Sequence, residues 1–331
     1  MNDANPLGLR RPTRREIIAL GIGAFVVASV PFARRRARLA RRTMPAMGTI
    51  VELAVVHRDP QYVQAAMDAA LARMAAVERT MTRFDAQSDV GRANRRAAAD
   101  AVLVTPGTAA VIAAALDWAH ASDGAFDPCI GRVIELWDVE HRHEPPQTPA
   151  VRRLAGRSFY RSLDLDTYQG HPAVRFNDSE MQMDLGGIAK GYAVDQAVNT
   201  LRDWGITQAF VAAGGDLYAM GESDHGGPWQ VGVRDPKDPD RVMTTLPLSD
   251  GAVATSGDYF RYFDYQGRRY HHLLDPATAE PRVTTQHSVS VAAANCTTAD
   301  AAATTAFGLN AERAAQVLQA RASDARLVSH A

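Results

Sequence analysis

The chain has 331 residues, of which 46% are hydrophobic and 22% are charged, so it can bury a sizeable core. Its 36 Lys and Arg residues balance 37 Asp and Glu residues, which gives no global basic excess of the kind that indicates nucleic-acid binding. Cys129 and Cys296 form no CxxC metal motif, and neither lies where a lipid-modified cysteine would follow an export signal. Whether the two cysteines form a disulfide stays open at this point.

The N-terminal segment has the pattern of a twin-arginine export signal. Arg14 and Arg15 precede an uncharged apolar run over residues 17–33, shorter than the about 20 residues usual for a spanning helix. The arginines that follow the run are Arg34, Arg35, Arg36, Arg38, Arg41 and Arg42. No clear small-x-small cleavage site follows, so an uncleaved anchor and a disordered basic tail are the alternatives. We predict a periplasmic protein with a signal or anchor and basic linker over residues 1–43 and one globular domain over residues 44–331.

Helices and strands are predicted throughout the first half of the domain. Residues 47–56 mix β-branched and apolar residues as a strand does, and residues 60–81 carry apolar side chains at helical spacing. A second helix is predicted over residues 106–122. His141 and His143 lie in a polar, proline-containing loop that we interpret as a solvated connection, because no further metal ligands lie nearby.

The second half is predicted to contain most of the strands. Residues 181–187 alternate Met and Leu with polar neighbours and are predicted as a strand. The helix that follows is entered through glycines and closed by Gly205. Glycine turns then separate several strands, and the last strand leads into a small-residue helix that contains Asp300. The pattern indicates a mixed α+β fold.

The stretch DLGGIAKGYAVD, residues 184–195, is a candidate phosphate site. Gly186 and Gly187 would let backbone N–H groups at a helix start approach an anion, and Lys190 adds a positive charge within the first turn. The spacing matches neither the P-loop nor the GxGxxG dinucleotide motif. Glycines that serve only a tight turn are therefore the alternative.

Two further glycine turns each precede a carboxylate. Asp216 follows a Gly-Gly pair and Asp258 follows a Ser-Gly pair, and the alternative for each is a β-turn in which the Asp bonds its own backbone. His271 and His272 precede an Asp-Pro turn, and on an alternating strand only one of them faces a site. Near a phosphate, that histidine could act as a proton shuttle.

Asp300 and Thr304 are spaced by one helical turn. At this spacing they would present three oxygen atoms to one point beside the helix, which suits a hard cation. The alternative is that Asp300 meets the dipole in the first turn of its own helix and that Thr304 merely packs.

Taken in chain order, six motifs resemble those of the ApbE family of FAD:protein FMN transferases. They are MGT, DLGGIAKGYAVD, AGGDLYAMG, ATSGDYFRYF, HHLLDP and TTADAAATTAF. The resemblance covers nearly everything after residue 44. It implies an α+β fold of two closely packed lobes, with the FAD site in the cleft between them, and makes residues 44–331 the flavin transferase domain.

The activity implied by the resemblance is Mg²⁺-dependent transfer of FMN from FAD to a protein. FAD is the substrate, FMN is joined to a Thr or Ser hydroxyl of the acceptor through a phosphoester bond, and AMP is released. The implied metal ligands are the Asp300 carboxylate, the Thr304 hydroxyl and the backbone carbonyl of Ala189. The implied acceptor is a membrane-associated redox protein, and the twin-arginine signal is similar to that of the branch serving nitrous-oxide respiration.

The resemblance also implies catalytic and cofactor-binding residues. His272 is the implied general base, with Asp258 as the alternative, and Lys190 would neutralise charge on the phosphates. The residues implied to bind FAD are Met47, Gly187, Lys190, Tyr192, Asp216, Ser256 and His272.

The chain departs from the family pattern at two places. Cys129 stands where a threonine is usual, and Ala279 and Glu280 stand where a glycine is usual, but neither change removes an implied metal ligand. Two other functions stay open: a Mg²⁺-dependent FAD pyrophosphatase, in which water replaces the acceptor hydroxyl, and a non-catalytic FAD-binding protein.

Overall fold

The structure is a computed structural model that describes residues 25–28 and 38–330. Within them, the α-helices are α1 (Pro60–Met81), α2 (Asp89–Arg96), α3 (Pro106–Ala121), α4 (Gly131–Trp137), α5 (Thr148–Leu154), α6 (Ala189–Asp203), α7 (Cys296–Ala306) and α8 (Ala311–Arg321). The strands are β1 (Phe25–Ala28), β2 (Arg38–Ala46), β3 (Thr49–His57), β4 (Val102–Leu103), β5 (Leu163–Tyr168), β6 (His171–Phe176), β7 (Ala209–Ala213), β8 (Asp216–Met220), β9 (Trp229–Asp235), β10 (Asp238–Leu248), β11 (Asp250–Gly257), β12 (Tyr262–Tyr265), β13 (Arg268–His271), β14 (Leu274–Asp275), β15 (Glu280–Pro281), β16 (Ser288–Ala293) and β17 (Arg326–His330).

An antiparallel sheet with the order β17-β16-β11-β8-β7-β3-β2 forms the centre of the fold. Along β3, Leu53 and Val55 face the core that contains α1, α6 and α7, whereas Ala54 and Val56 face a second core under β9 and β10. Successive side chains of a strand point to opposite faces, so both faces of this sheet are covered. The predicted α+β class is confirmed, while the division into two lobes stays a prediction.

Most of the predicted helices match the structure. α1 begins at Pro60, where the Asp59 side chain accepts hydrogen bonds from two backbone N–H groups, and α3 begins at Pro106 behind the Thr105 cap. α6 ends at Asp203, and Gly205 has a φ of 70°. Both cysteines are buried and free, so the structure contains no bond between them.

The strand predicted over residues 181–187 is wrong. Met181, Met183 and Leu185 are buried as alternation requires, but this segment pairs only at Gln182, through one isolated bridge. The Asn94 side chain replaces a neighbouring strand, because it accepts from Met183 N at 2.7 Å and donates to Met183 O at 2.9 Å.

The predicted export signal lies mostly outside the described residues. Arg14 and Arg15 are not among the described residues. Of the apolar run, only residues 25–28 are described, and they form strand β1, which pairs with β9. β2 begins at Arg38, so the described sheet includes residues that the sequence assigned to the basic linker. Among the described helices, none has the length and apolar character needed to cross a membrane.

α6 and α7 cross at a contact that leaves no room for a side chain. A Cβ atom at Gly191 of α6 would lie 2.2 Å from the backbone oxygen of Cys296 in α7. The helices also cap each other. Asp300 of α7 accepts from Gly191 N at 2.9 Å, and Asp195 of α6 accepts from the backbone N–H groups of Cys296 and Thr297 at 2.8 Å each. Since Ile188, at the N-cap of α6, provides no side-chain hydrogen bond, α6 depends on Asp300 for this cap.

We expect Gly191→Ala to destabilise the protein, although alanine favours a helix more than glycine does. The added methyl would force α6 and α7 apart, with a cost of about 1–3 kcal/mol in the free energy of unfolding. Gly251→Ala is the matched control, because its Cβ would meet nothing closer than 3.7 Å. Urea unfolding measures both variants, and equal stability of the two would contradict the close crossing.

Candidate active site

The N-terminus of α6 carries a cluster of three charged side chains that belong to three different elements. Lys190 Nζ lies 2.7 Å from Asp216 Oδ2 and 3.1 Å from Asp300 Oδ1. Asp216 is the first residue of β8, directly after the Gly-Gly turn, and Asp300 lies in the middle of α7. Both carboxylates are buried, with 2% of their surface exposed. The fold therefore brings together three residues that the sequence proposed separately.

The cluster perturbs the proton affinities of its members. Burial, and then the charge of Asp300, raise the pKa of Asp216 to about 7, although Lys190 acts in the opposite direction. Burial opposes the charge of Lys190, but Asp216 and Asp300 together raise its pKa above the ordinary value. Two buried carboxylates thus share one ammonium group.

Thr304 and Ser256 extend the cluster along α7. The Ser256 hydroxyl lies 3.4 Å from the Thr304 hydroxyl. Gly187 packs against the same helix, since a Cβ there would lie 3.0 Å from Thr304 Cγ2. A side chain at Gly187 would also meet Phe126 at 3.1 Å. The structure therefore places the glycine turn before α6 directly beside the Asp300 and Thr304 pair.

The oxygen atoms at this position fit a hard cation. The donors that a cation here would use are the Asp300 carboxylate, the Thr304 hydroxyl and the backbone carbonyl of Ala189, which precedes Lys190 at the start of α6. Among the described residues, no three His, Cys, Asp or Glu side chains converge on one metal position. A cation held here would need hydroxyl, backbone or substrate oxygens in addition to Asp300, which is the ligand mixture that Mg²⁺ takes.

The structure distinguishes the two adjacent histidines. His271 is 5% exposed and uses both ring nitrogens, because Nε2 lies 3.1 Å from Arg282 O and Nδ1 accepts from Leu273 N at 3.3 Å. His272 Nδ1 lies 3.3 Å from Arg261 O. A carbonyl oxygen only accepts, so Nδ1 of His272 carries the proton and Nε2 keeps a free lone pair. Of the pair, His272 alone has an unused nitrogen.

Burial first, and the charge of Arg261 second, lower the pKa of His272 to about 3. The charge of Lys190 contributes to this decrease, so His272 lies close enough to the cluster to respond to it. His272 is neutral at neutral pH. Its Nε2 can therefore accept a hydrogen bond or a proton from a ligand, and a nearby anion would increase its proton affinity.

Two other predicted residues occupy different surroundings. Met47 lies in the turn between β2 and β3 with a φ of 54°, and the carbonyl of the next residue, Gly48, accepts from Arg261 Nη2 at 3.1 Å. This contact connects the Met47 turn to His272.

Tyr192 is not brought into the cluster, because it lies two residues beyond Lys190 on α6, about 200° around the helix. It instead lines a cavity of about 290 Å³ with Asp195 and other residues.

The model of the ApbE family matches residues 47–327 of the chain. The chain belongs to the ApbE family. The FAD:protein FMN transferase of Treponema pallidum is 31% identical over 300 residues, which cover 86% of this chain and 83% of that protein. The crystal structure of the ApbE protein of Thermotoga maritima has a TM-score of 0.78 at 34% identity and covers 88% of this chain and 93% of its own. The flavin transferase ApbE of Vibrio cholerae has a TM-score of 0.74 at 27% identity, with 86% and 91% covered. The family predicted from the motifs is confirmed.

Sequence reasoning missed two residues that support the site of this ApbE-family chain. Asp184 Oδ1 accepts from Gly186 N at 2.7 Å, while Oδ2 lies 2.8 Å from Arg83 Nε, so Asp184 anchors the glycine turn to the loop after α1. The Asp-x-Gly spacing is a local signal for such a turn. Partly buried Arg282 donates to the backbone carbonyls of Leu274 and Thr305 at 3.2 Å each. Nothing in the local pattern indicated that contact.

We expect Asp216 to make stability depend on pH. Its pKa rises on folding from the ordinary value of 3.8 to about 7, so the folded state holds this proton more tightly than the unfolded chain does. The free energy of unfolding should therefore fall as pH increases from about 4 to about 7, and Asp216→Asn should remove that part of the decrease. Urea unfolding over this pH range, without divalent cations, measures the effect.

Asp250→Asn is the control for this pH series, because it removes an exposed carboxylate from the adjacent strand β11. It should keep the pH dependence of the wild type. An unchanged pH dependence in Asp216→Asn would mean that Asp216 does not hold a proton in this range.

Proposed function

We propose that this chain is an FAD:protein FMN transferase that depends on Mg²⁺, joins FMN to a Thr or Ser hydroxyl through a phosphoester bond and releases AMP. Membership of the ApbE family, and the names of the relatives reported above, support flavin transfer. The observation that carries the proposal is the buried cluster of Lys190, Asp216 and Asp300 at the N-terminus of α6.

The charge of the cluster explains why an anionic substrate would need a cation. Two carboxylates and one ammonium group leave net negative charge when both acids are ionised, and a pyrophosphate adds more. A divalent cation at Asp300, Thr304 and the Ala189 carbonyl would reverse that balance and, once bound, would neutralise charge that develops on the phosphate oxygens. The donor set described above fits such an ion.

Lys190 and the glycine turn provide the binding groups for the phosphates. Lys190 bonds two carboxylates through Nζ, while 30% of its side-chain surface is accessible. Its charge would stabilise the leaving AMP. Because Gly187 has no side chain and its backbone packs against Thr304, the FAD phosphates could approach the backbone N–H groups and the proposed metal ligands together.

The reaction forms one bond and breaks one. The acceptor hydroxyl oxygen attacks the phosphorus atom of the FMN half of FAD, and the bond from this phosphorus to the bridging oxygen breaks. The bridging oxygen leaves on AMP with the electron pair, as in other phosphoryl transfers. The hydroxyl proton must pass to a base, and His272, neutral and with Nε2 unused, is the first candidate. Asp258 is the alternative, since it is buried and follows Ser256, whose hydroxyl lies 3.4 Å from that of Thr304, by two residues.

Two other functions use the same residues. In a pyrophosphatase, water would replace the acceptor hydroxyl, and the products would be free FMN and AMP. A non-catalytic binding protein would hold FAD without turnover.

The acceptor that we propose is a membrane-associated redox protein, consistent with an N-terminal segment that would export or tether the chain.

Intact-mass spectrometry tests the transferase directly. A candidate acceptor domain incubated with the protein, FAD and Mg²⁺ should gain the mass of one FMN group, and chromatography should detect AMP. Asp300→Asn keeps an oxygen for Gly191 N but removes the carboxylate charge, so both products should decrease at least about tenfold, as they should with a chelator. The acceptor with its Thr or Ser replaced by Val is the matched control.

The outcomes separate the three functions. AMP and free FMN without a modified acceptor, for a panel of acceptors, would favour the pyrophosphatase. FAD binding without AMP would favour the binding protein. Full activity of Asp300→Asn would refute the proposed metal site.

We also propose that the chain is exported by the twin-arginine route, on the basis of Arg14 and Arg15 before the apolar run. Replacing both by Lys should leave the precursor in the cytoplasm after cell fractionation. Replacing Arg34 and Arg35, which follow the run, by Lys is the matched control and should leave export unchanged. Normal export of the first variant would mean that another route is used.

A further inference from the structure

Asp258 and His287 face each other where two central strands end. The last pair of the β11–β16 ladder is Gly257 and Ser288, and Asp258 and His287 are the next residues on each strand. Two hydrogen bonds connect them. Asp258 N donates to His287 O at 3.1 Å, and His287 Nδ1 lies 2.9 Å from Asp258 Oδ2. An ionised carboxylate only accepts, so Nδ1 carries the proton in this pair.

The second oxygen of Asp258 has no such bond. Asp258 is 7% exposed, and its Oδ1 is buried without a hydrogen-bond partner among the described residues. A buried acceptor with no donor loses the hydrogen bonds that water gave it and gains nothing in return. If Asp258 only closed a turn, its oxygens would accept from the backbone of that turn. Instead, one oxygen accepts from His287 and the other stays available for a ligand.

The residues on either side of Asp258 contact the proposed reaction centre. Ser256, two residues earlier, contacts the Thr304 hydroxyl, and Phe260, two residues later, lies near Gly215 of the turn that precedes Asp216. The other titratable groups that respond to the charge of Asp258 are His271, whose two nitrogens are both used, and Tyr259. Neither provides a hydrogen bond to Oδ1.

We propose that His287 is a positioning residue: it holds Asp258 through Oδ2 so that Oδ1 receives a hydrogen bond from the hydroxyl group of the bound acceptor. The proposal rests on the proposed transferase function. Asp258 then orients the hydroxyl toward the phosphorus atom, while His287 fixes the direction of the carboxylate. Because the hydroxyl has a single proton, this arrangement makes Asp258, the alternative base named above, its acceptor instead of His272. The ligand class for Oδ1 is a neutral hydroxyl donor, since a phosphate oxygen would be repelled by the carboxylate.

Variants of His287 test this role through the rate of FMN transfer. His287→Ala removes the donor, and we expect kcat to fall about tenfold or more with little change in KM for FAD, as for other groups that orient a reacting side chain. His287→Asn places an amide N–H near the position of Nδ1 and should recover most of the rate. Because the His287 side chain is 37% exposed, neither change opens a large cavity.

The chain provides a matched control in His141. His141 also pairs with a carboxylate through Nδ1, which lies 2.7 Å from Asp138 Oδ1. This pair, however, is exposed in the loop after α4. His141→Ala should therefore keep the wild-type rate. A wild-type rate for His287→Ala, or an equal loss in His287→Ala and His287→Asn with unchanged thermal unfolding, would overturn the proposal.

A second measurement keeps this inference separate from the proposed function. ¹⁵N NMR of the histidine ring reports which nitrogen of His287 carries the proton, and we expect Nδ1, with a change of the Nδ1 signal in Asp258→Asn. If the wild type transfers no FMN while Nδ1 is protonated, the transferase function is wrong, and His287 still sets the orientation of Asp258. A proton on Nε2 alone would refute the role of His287 in either case.

Discussion

The site depends on the mutual capping of α6 and α7. Each helix uses a carboxylate of the other to satisfy backbone N–H groups at its N-terminus, Asp300 at Gly191 and Asp195 at Cys296 and Thr297. Only a glycine at position 191 lets the helices approach closely enough for both caps to form. The contact that stabilises the helix pair therefore also fixes Asp300, the residue on which the proposed metal site depends.

This arrangement gives Asp300 two roles that compete for its oxygens. In the structure it bonds Gly191 N and Lys190, and a bound cation would take one of these oxygens. Leaving Lys190 or a buried carboxylate without any partner would cost about 3–5 kcal/mol, but Asp216 prevents this, because it holds Lys190 at 2.7 Å. The second carboxylate would thus allow the first to bind the proposed metal ion without isolating the lysine. Burial, and then the charge of Asp300, raise the pKa of Asp216, since two buried carboxylates share one lysine.

Local spacing made part of the site predictable. Asp300 and Thr304 are four residues apart on one helix, and Lys190 follows a Gly-Gly turn at a helix start, so their shared faces follow from helix geometry alone. The order of the motifs also predicted the family. The spacing of apolar residues predicted most of the helices and strands. By contrast, the resemblance implied that Tyr192 binds FAD together with Lys190, whereas Tyr192 lies about 200° from Lys190 around α6 and lines the cavity beside Asp195.

What the sequence could not provide were contacts between distant segments. Residues 181–187 have the alternation of a strand, but the Asn94 amide, 89 positions from Met183, takes the backbone bonds that a neighbouring strand would make. Alternation likewise left His271 and His272 undecided, because the choice depends on which carbonyl groups surround each ring. Periodicity reports which face a residue occupies, whereas the partner on that face is decided by the fold. A site whose ligands come from several segments is consequently predictable residue by residue, while its hydrogen-bond network, on which proton affinity depends, is available only from the folded chain.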